Sequence, residues 1–194
     1  MPSPTHQILS HSSSSGPHWL EPSAFIATCG GIGRIPFAPG TWGASAGVAL
    51  SLATGLAASR IASSSTTVVP GISQPIFFLE LFFIVILNLV GIPLCTRAER
   101  FLGRGSDPGA IVYDEMASLP LGLLVVPFAE RSPLWLLVAF LLHRVFDIFK
   151  PFPCRQLEHL PAGLGIMADD WGAAAWMATT LIVLRSAINW AGWL

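Results

Sequence analysis

Apolar residues gather into five segments along this chain, separated by stretches that are polar or rich in glycine and proline. The segments cover residues 42–59, 76–95, 116–128, 134–149 and 171–194. Apolar runs of this length between turn-forming residues are typical of buried or membrane-embedded helices. The pattern predicts an all-α bundle of about five apolar helices.

The lengths of the segments bear on whether the bundle crosses a membrane. The segment at 76–95 is about as long as the ~20 residues that cross a ~30 Å hydrocarbon layer. The segments at 42–59 and 116–128 are shorter than that. A membrane-embedded bundle and a bundle docked on the bilayer surface therefore both remain open.

The stretches between the segments are predicted to be loops. Residues 25–41 contain many glycines and prolines, which do not sustain a regular helix, and Thr41 is a suitable N-cap for the helix that follows. Residues 96–114 and 150–170 are predicted to be polar connections. Residues 1–22, rich in serine, histidine and proline, are predicted to be a disordered tail, which leaves one domain at 23–194.

Alternating crossings would bring three polar patches to the same side. If all five segments cross, the loops at 31–41, 96–115 and 150–170 emerge together. These loops hold most of the arginines, whereas the opposite side holds at most Arg60, Arg131 and Arg185. By the positive-inside rule, the three patches are expected to face the cytoplasm.

Composition supports a lipid environment and excludes some partners. Hydrophobic residues make up 53% of the chain and charged residues 11%, against ~25% charged in an average soluble protein. The net charge of −1 gives no basic footprint for nucleic acid. The three cysteines lie far apart and form no C-x-x-C, so buried thiols are expected rather than disulfides or a zinc site.

Two acidic pairs are the first candidate site residues. Asp114-Glu115 and Asp169-Asp170 each come at the start of an apolar segment. Four carboxylates in one place repel one another, and a hard divalent cation such as Mg²⁺ relieves that repulsion. The alternative is N-terminal capping, since acids in a first turn favour the helix dipole by ~0.3 to 1 kcal/mol. Two pairs beside a basic cluster favour the metal.

A basic cluster accompanies these acids. Arg144 and Asp147 lie three residues apart on one helical face, and Lys150 follows just before a proline. Arginine and lysine are the usual partners of a phosphate, although a purely structural Arg144–Asp147 ion pair explains two of the three residues equally well. The Pro-Gly turn at Gly40 and Thr41 offers backbone amides to an anion.

The known phosphatase nucleophiles are missing from the sequence. Cys154-Arg155 lacks the spacing of a cysteine-dependent phosphatase, no D-x-D occurs, and neither His143 nor His159 lies in a histidine-phosphatase motif. Water activated by a metal is then the simplest attacking group.

Two polar residues interrupt the longest apolar segment. Glu80 and Asn88 are eight residues apart and so lie roughly on one stripe of a helix. We expect them to make hydrogen bonds between helices rather than to take part in catalysis.

Four motifs, in this order and spacing, resemble the phosphatidylglycerophosphatase A family over nearly all of the chain after residue 22. They are G-I-G-R-I-P-F-A-P-G-T-W-G from residue 31, I-V-Y-D-E at 111–115, R-V-F-D-I-F-K-P-F-P at 144–153 and G-L-G-I-M-A-D-D at 163–170. The resemblance implies an all-helical, Mg²⁺-dependent lipid phosphatase of phospholipid biosynthesis. It would remove the terminal phosphate of phosphatidylglycerophosphate to give phosphatidylglycerol, on the cytoplasmic face of the bacterial inner membrane.

The resemblance also implies roles for the motif residues. The acidic pairs would hold metal or position water: Asp114, Glu115, Asp169 and Asp170. The basic-acidic motif, with Arg144, Asp147 and Lys150, would handle phosphate, and Gly40 and Thr41 match the family's Pro-Gly-Thr loop. The general base is left open between Asp147 and Asp170. Departures from the usual pattern, at Ser118, His143 and Ala174, all lie outside the charged positions.

Two other classes of function are compatible with the composition. A small membrane transporter or ion-binding protein would use the charges as an ion path lined by groups such as Glu80 and Asn88. A degenerate structural subunit would fold without activity, but the intact charged motifs argue against it. The oligomeric state is not determined by the sequence.

Overall fold

The structure is a computed structural model that describes residues 21–64, 75–102 and 109–191. Within these ranges it contains seven α-helices, two short 3-10 turns and no strand. The helices are α1 Pro22–Ala27, α2 Pro39–Ser64, α3 Pro75–Leu102, α4 Tyr113–Leu123, α5 Pro133–Phe149, α6 Cys154–Leu157 and α7 Gly163–Trp190. The predicted all-helical class is therefore confirmed.

The short helix α4 lies at the centre of the bundle and packs against α2, α3, α5 and α7. Glycines allow the close approach of its neighbours, as is usual where helices pack without large side chains between them. A Cβ on Gly47 of α2 would lie 3.0 Å from the Cβ of Leu119, and one on Gly122 would lie 2.1 Å from Cε of Met177. These contacts set α2 and α7 tightly against the two sides of α4.

The helix ends converge at one end of the bundle, here called the site end. The first turns of α2 and α4 meet where Gly40 approaches Glu115. The start of α7 meets the last turns of α3, where the Gly163 amide donates to Thr96 Oγ1 at 3.0 Å. The last turns of α5 bring Arg144 within 3.7 Å of Glu115. The three polar patches are therefore neighbours.

Among the described residues, three helices are long and apolar enough to cross a membrane: α2, α3 and α7, with 25 to 28 residues each. The 11 residues of α4 rise only about 16 Å, roughly half of a hydrocarbon core. This helix is therefore too short to span the hydrocarbon core by itself. The figure of about five apolar helices holds approximately, whereas the number of helices long enough to span is smaller.

Several predicted boundaries were wrong. The helix α2 begins at Pro39 rather than after Thr41, because proline is well suited to a first helical position. The predicted loop at 25–41 contains the second half of α1, a helix capped by the Glu21 carboxylate, and a 3-10 turn. The helix α3 continues to Leu102, because Thr96, Arg97, Glu99 and Arg100 still form helix. Ala98 among them is buried in the core, so the polar residues do not mark the end of this helix.

The start of α7 is a further correction. This helix begins at Gly163, so Asp169 and Asp170 lie beyond its first turn rather than at its start. The capping alternative therefore fails for this pair, although Asp114 and Glu115 do lie in the first turn of α4. Residues 1–20 of the predicted disordered tail lie outside the described residues, while Glu21 and Pro22 belong to the start of α1.

Candidate active site

Three carboxylates from two helices form a compact cluster at the site end. Asp114 and Glu115 come from the first turn of α4, and Asp170 comes from the second turn of α7. One carboxylate oxygen from each lies within 4.8 Å of the other two. Asp170 is 2% exposed and Asp114 is 7% exposed, so the cluster lies beneath the surface. We call these residues the acidic cluster.

Contacts around the start of α4 fix the position of its two acids. The Val112 amide donates to the Ala27 carbonyl at 3.0 Å, which anchors the residue before the helix to α1. The Tyr113 hydroxyl donates to the Leu87 carbonyl of α3 at 3.0 Å. With both neighbouring positions held, Asp114 and Glu115 have little freedom to turn away from α7.

Several oxygens of the acidic cluster have no hydrogen-bond donor among the described residues. In the part of the chain that the structure describes, no partner reaches Oδ1 of Asp114, Oε2 of Glu115 or either carboxylate oxygen of Asp170, all of which are buried. Burying carboxylate oxygens without donors is costly. Burial raises the pKa of Glu115 to about 7. Burial and the nearby acids, Glu115 first, also raise the pKa of Asp114 well above its ordinary value.

These properties fit a hard divalent cation. Mg²⁺ is usually held by a few carboxylates together with water and substrate oxygens. Asp114, Glu115 and Asp170 each offer at least one buried oxygen that has no donor among the described residues. A cation bound there would satisfy oxygens that otherwise retain protons.

The guanidinium group of Arg144 lies beside the acidic cluster. Arg144 Nη1 lies 2.5 Å from Asp147 Oδ2 and 3.7 Å from Glu115 Oε1. The ion pair between Arg144 and Asp147 is thus present, but the same guanidinium also reaches the acidic cluster. Its contacts therefore exceed those of an isolated ion pair on one helix.

Lys150 lies at the C-cap of α5 with a left-handed backbone conformation, φ 45°. Its Nζ donates to Asp169 Oδ2 at 2.8 Å and lies 3.0 Å from Glu158 Oε2. Burial lowers the pKa of Lys150, but the hydrogen bonds and charges of Asp169 and Glu158 outweigh it and leave the pKa above its ordinary value. The ammonium therefore stays charged beside the site.

The adjacent acids Asp169 and Asp170 serve different neighbours. Successive side chains on a helix diverge by about 100°. Asp170 joins the acidic cluster, whereas Asp169 contacts Lys150. The four-acid set predicted for the metal is thus divided in this structure into three clustered carboxylates and one that contacts the lysine.

Gly40 and Thr41 lie in the first turn of α2 beside the acidic cluster. A Cβ on Gly40 would lie 2.3 Å from Glu115 Oε1 and 2.8 Å from Arg144 Nη1. Only glycine fits there without displacing both charged groups. The Thr41 amide donates to the Ala38 carbonyl at 2.9 Å, so this amide is already used within the turn.

Sequence reasoning gave no role to three residues near the site. Glu158 was not singled out, because its contact with Lys150 depends on how α6 turns back towards α7. His143 and Ser118 appeared only as departures from a family pattern, yet they are hydrogen bonded at 3.0 Å and fully buried. This pair ties α5 to α4 one residue before Arg144.

The polar residues in α3 make contacts between helices, as predicted. The Asn88 amide donates to the Ala117 carbonyl of α4 at 2.9 Å and accepts from Trp171 Nε1 of α7 at 2.7 Å. Glu80 forms a buried ion pair with Arg131. Both side chains are thus held inside the bundle, which argues against the ion path of a transporter. The three cysteines are thiols, as expected, and form no disulfide.

Comparison with known proteins identifies the family. The family model of phosphatidylglycerophosphatase A matches residues 25–185, which include the whole site. The chain belongs to this family. Phosphatidylglycerophosphatase A members are phosphatases, so the prediction of an enzyme of this class is confirmed.

Curated relatives agree with this membership. The chain is 34% identical over 167 residues to phosphatidylglycerophosphatase A of Haemophilus influenzae, covering 86% of this chain and 90% of the relative. It is 32% identical to a putative phosphatidylinositol-3-phosphatase of Bacteroides thetaiotaomicron, covering 84% and 94% of the two chains. Phosphatidylglycerophosphatase A of Escherichia coli is 32% identical over 45% of this chain and 50% of the relative. No solved structure is significantly similar to the chain.

Proposed function

We propose that this phosphatidylglycerophosphatase A family member hydrolyses the terminal phosphomonoester of phosphatidylglycerophosphate, with Mg²⁺, at the membrane surface. The products are phosphatidylglycerol and inorganic phosphate. The observation that carries the proposal is the acidic cluster, with its buried oxygens lacking donors among the described residues, directly beside Arg144. Acids without donors next to a guanidinium are suited to a cation and a phosphate together.

Asp114, Glu115 and Asp170 would hold the cation. The chemistry that a bound Mg²⁺ supplies to a phosphomonoester is positive charge against the phosphoryl oxygens and activation of water. Asp169 would act differently, by orienting Lys150 through their 2.8 Å contact.

Arg144 and Lys150 would bind the phosphate. The planar guanidinium offers paired donors that match two phosphoryl oxygens, and the ammonium offers a compact positive charge. Asp147 and Glu115 orient Arg144, while Asp169 and Glu158 orient Lys150. The missing side chain of Gly40 leaves room for these charged groups at the start of α2.

Water is the attacking group in this proposal, because the one cysteine near Lys150 is unsuited to attack. Burial raises the pKa of the Cys154 thiol and so disfavours the thiolate. One oxygen–hydrogen bond of water breaks as its oxygen bonds to phosphorus, the bond from phosphorus to the glycerol oxygen breaks, and that glycerol oxygen takes up a proton. Asp147, which contacts Arg144 and lies outside the acidic cluster, is the proposed acceptor of the proton from water.

The proposed location is the cytoplasmic face of the bacterial inner membrane. The site end carries four exposed arginines, Arg34, Arg97, Arg100 and Arg155. Towards the other end Arg60 is exposed, Arg185 is half-buried and Arg131 is buried in an ion pair. An excess of exposed arginine at the ends of apolar helices favours the cytoplasmic side.

Phosphate release from defined lipids tests the proposal. Purified protein in detergent should release phosphate from phosphatidylglycerophosphate with Mg²⁺ and not with a chelator. Phosphatidylinositol 3-phosphate should be assayed in parallel, because one relative is named for that activity. Lys150→Ala should lower the rate strongly, whereas Glu99→Gln, an acid of α3 outside the acidic cluster, should not.

Three outcomes would contradict parts of the proposal. Full activity in the presence of a chelator would show that the reaction does not require a metal. Faster hydrolysis of the inositol lipid would reassign the substrate. Ion flux through liposomes without any phosphate release would favour the transporter instead.

A further inference from the structure

An apolar groove of about 540 Å³ runs between α6 and α7. Its lining is almost entirely apolar and includes Leu157 and Leu160 on one side, with Leu164, Ala168 and Ala175 of α7 on the other. Large apolar concavities on monomeric proteins usually mark a binding site. This groove takes no part in the phosphate chemistry described above.

Two tryptophans border the groove and are held in place by bonds outside it. Trp171 Nε1 donates to Asn88 Oδ1 at 2.7 Å, and Trp176 Nε1 donates to the Phe152 carbonyl at 3.0 Å. The Trp176 ring also packs on Phe146, with 6.0 Å between ring centroids. Because both indole N–H groups are occupied, the two rings offer apolar surface to the groove.

The groove begins where the phosphate-binding lysine is held. Lys150 contacts Asp169 and Glu158. Asp169 directly follows the lining residue Ala168, and Glu158 directly follows the lining residue Leu157. A ligand with its phosphate at Lys150 would therefore have its apolar part at the mouth of this groove.

The part of the groove beyond the Lys150 contact is about as long as one leaflet. The lining runs along α7 from Leu164 to Thr179, a rise of about 22 Å, and the part from Ala168, next to Asp169, to Thr179 rises about 16 Å, close to half of the ~30 Å hydrocarbon core of a bilayer. The same helix is one of the three that are apolar and long enough to cross a membrane. An acyl chain that starts at the lipid head group would run along this path towards the bilayer centre.

We propose that the groove between α6 and α7 binds one acyl chain of the substrate, so that the site selects a membrane lipid over a water-soluble phosphomonoester. This inference rests on the proposed function for the identity of the substrate. It adds that the chain contact holds the head group against Lys150, which lowers KM for the lipid.

Filling the groove tests this selection. Ala175→Trp adds a large side chain to its lining, and Ala53→Trp makes the same change on an exposed part of α2. Ala175→Trp should raise KM for the diacyl substrate by about tenfold, the effect of losing roughly two buried methylene contacts. Hydrolysis of the deacylated head group should not change, and Ala53→Trp should leave both substrates unaffected. Equal effects of Ala175→Trp on both substrates, or none on either, would overturn the proposal.

A binding measurement keeps the groove testable without activity. A diacyl phosphatidic acid with a photoreactive diazirine in one chain, irradiated with the wild-type protein, should label residues 157–179 more than α2. Ala175→Trp and excess unlabelled phosphatidic acid should reduce that labelling, whereas excess phosphatidylcholine should not. Labelling spread evenly over the apolar helices would overturn the inference, as would a groove shielded from the probe by a second copy of the chain. If the wild type labels as expected but releases no phosphate from any lipid, the proposed function fails while the groove assignment stands.

Discussion

Two buried charged centres lie towards opposite ends of this bundle, and they differ in whether their charged groups have hydrogen-bond and ion-pair partners. Glu80 and Arg131, with side chains 3% and 1% exposed, form an ion pair between α3 and the end of the 3-10 turn that precedes α5. Arg131 also donates to Ser51 and to the carbonyls of Val126 and Leu123 at 3.0 to 3.3 Å. The acidic cluster at the site end is also largely buried, but several of its oxygens have no donor among the described residues.

The difference separates a structural centre from a functional one. A buried ion pair with all its hydrogen bonds made holds helices together and needs nothing further. A group of like charges without donors is stable only when protons or a ligand neutralise it. Burial of charge alone therefore does not identify a site; the missing partners do.

The largest expected effect is on activity. Asp170→Asn should reduce phosphate release by about a thousandfold, since it removes a carboxylate from the proposed cation site. It should not lower the free energy of unfolding measured without metal, because it also removes a repelling buried acid. Activity assays and denaturant unfolding in chelator check both parts. A destabilised Asp170→Asn protein would place this residue with the structural centre instead.

The second prediction concerns the structural centre. Arg131→Met should lower the free energy of unfolding by about 3 to 5 kcal/mol, because Glu80 is left buried without its partner. The double variant Glu80→Gln with Arg131→Met should recover part of that loss. The folded fraction of Arg131→Met should keep the wild-type KM for the lipid, as measured by steady-state kinetics after removal of aggregates. A large change in KM would show that the two centres are coupled.

A smaller loss is expected from Gly40→Ala. The added Cβ would meet Glu115 and Arg144 at 2.3 and 2.8 Å, so both side chains must shift. Misplacing such groups by about 1 Å costs roughly a hundredfold in rate. Thermal unfolding should change little, and Ala46→Gly on the same helix serves as a control for helix propensity. If Gly40→Ala had wild-type activity, Glu115 and Arg144 would not have the roles proposed for them in the reaction.

The smallest expected effect is a pH dependence. The folded-state pKa of Glu115 is raised from 4.5 to about 7, so the folded protein holds more protons than the unfolded one between these values. Without metal, stability should therefore fall as pH rises from about 4.5 to 7, and the raised pKa values of Asp114 and Asp170 add to this fall. Apparent Mg²⁺ affinity should change the other way, rising by up to about tenfold per pH unit below 7, because protons compete with the cation.

Thermal unfolding and metal titration across pH 5 to 8 measure these two trends. Glu115→Gln should reduce both slopes, with Asp114 and Asp170 retaining part of them, while Glu99→Gln, outside the acidic cluster, should change neither. Metal-free stability that rises with pH through this window would contradict the assigned pKa shift.

Much of the molecule follows from local sequence pattern. The segment predicted at 134–149 is the helix α5 almost residue for residue, between a serine-proline start and a proline just after Lys150. The same local reading identified the acids and bases that meet at the site end, and four motifs pointed to the family that the comparisons confirm. Runs of apolar residues and helix-ending prolines act over a few turns, so a sequence shows them directly.

The partners of each charge were decided only by the tertiary structure. Asp169 and Asp170 are adjacent acids in the sequence, yet one contacts Lys150 and the other joins the acidic cluster, because the rotation of α7 against α4 turns them to different neighbours. Glu80 and Arg131 are paired across 51 positions. That rotation depends on close contacts such as Gly122 against Met177, which involve residues distant in sequence and leave no periodic signal along the chain.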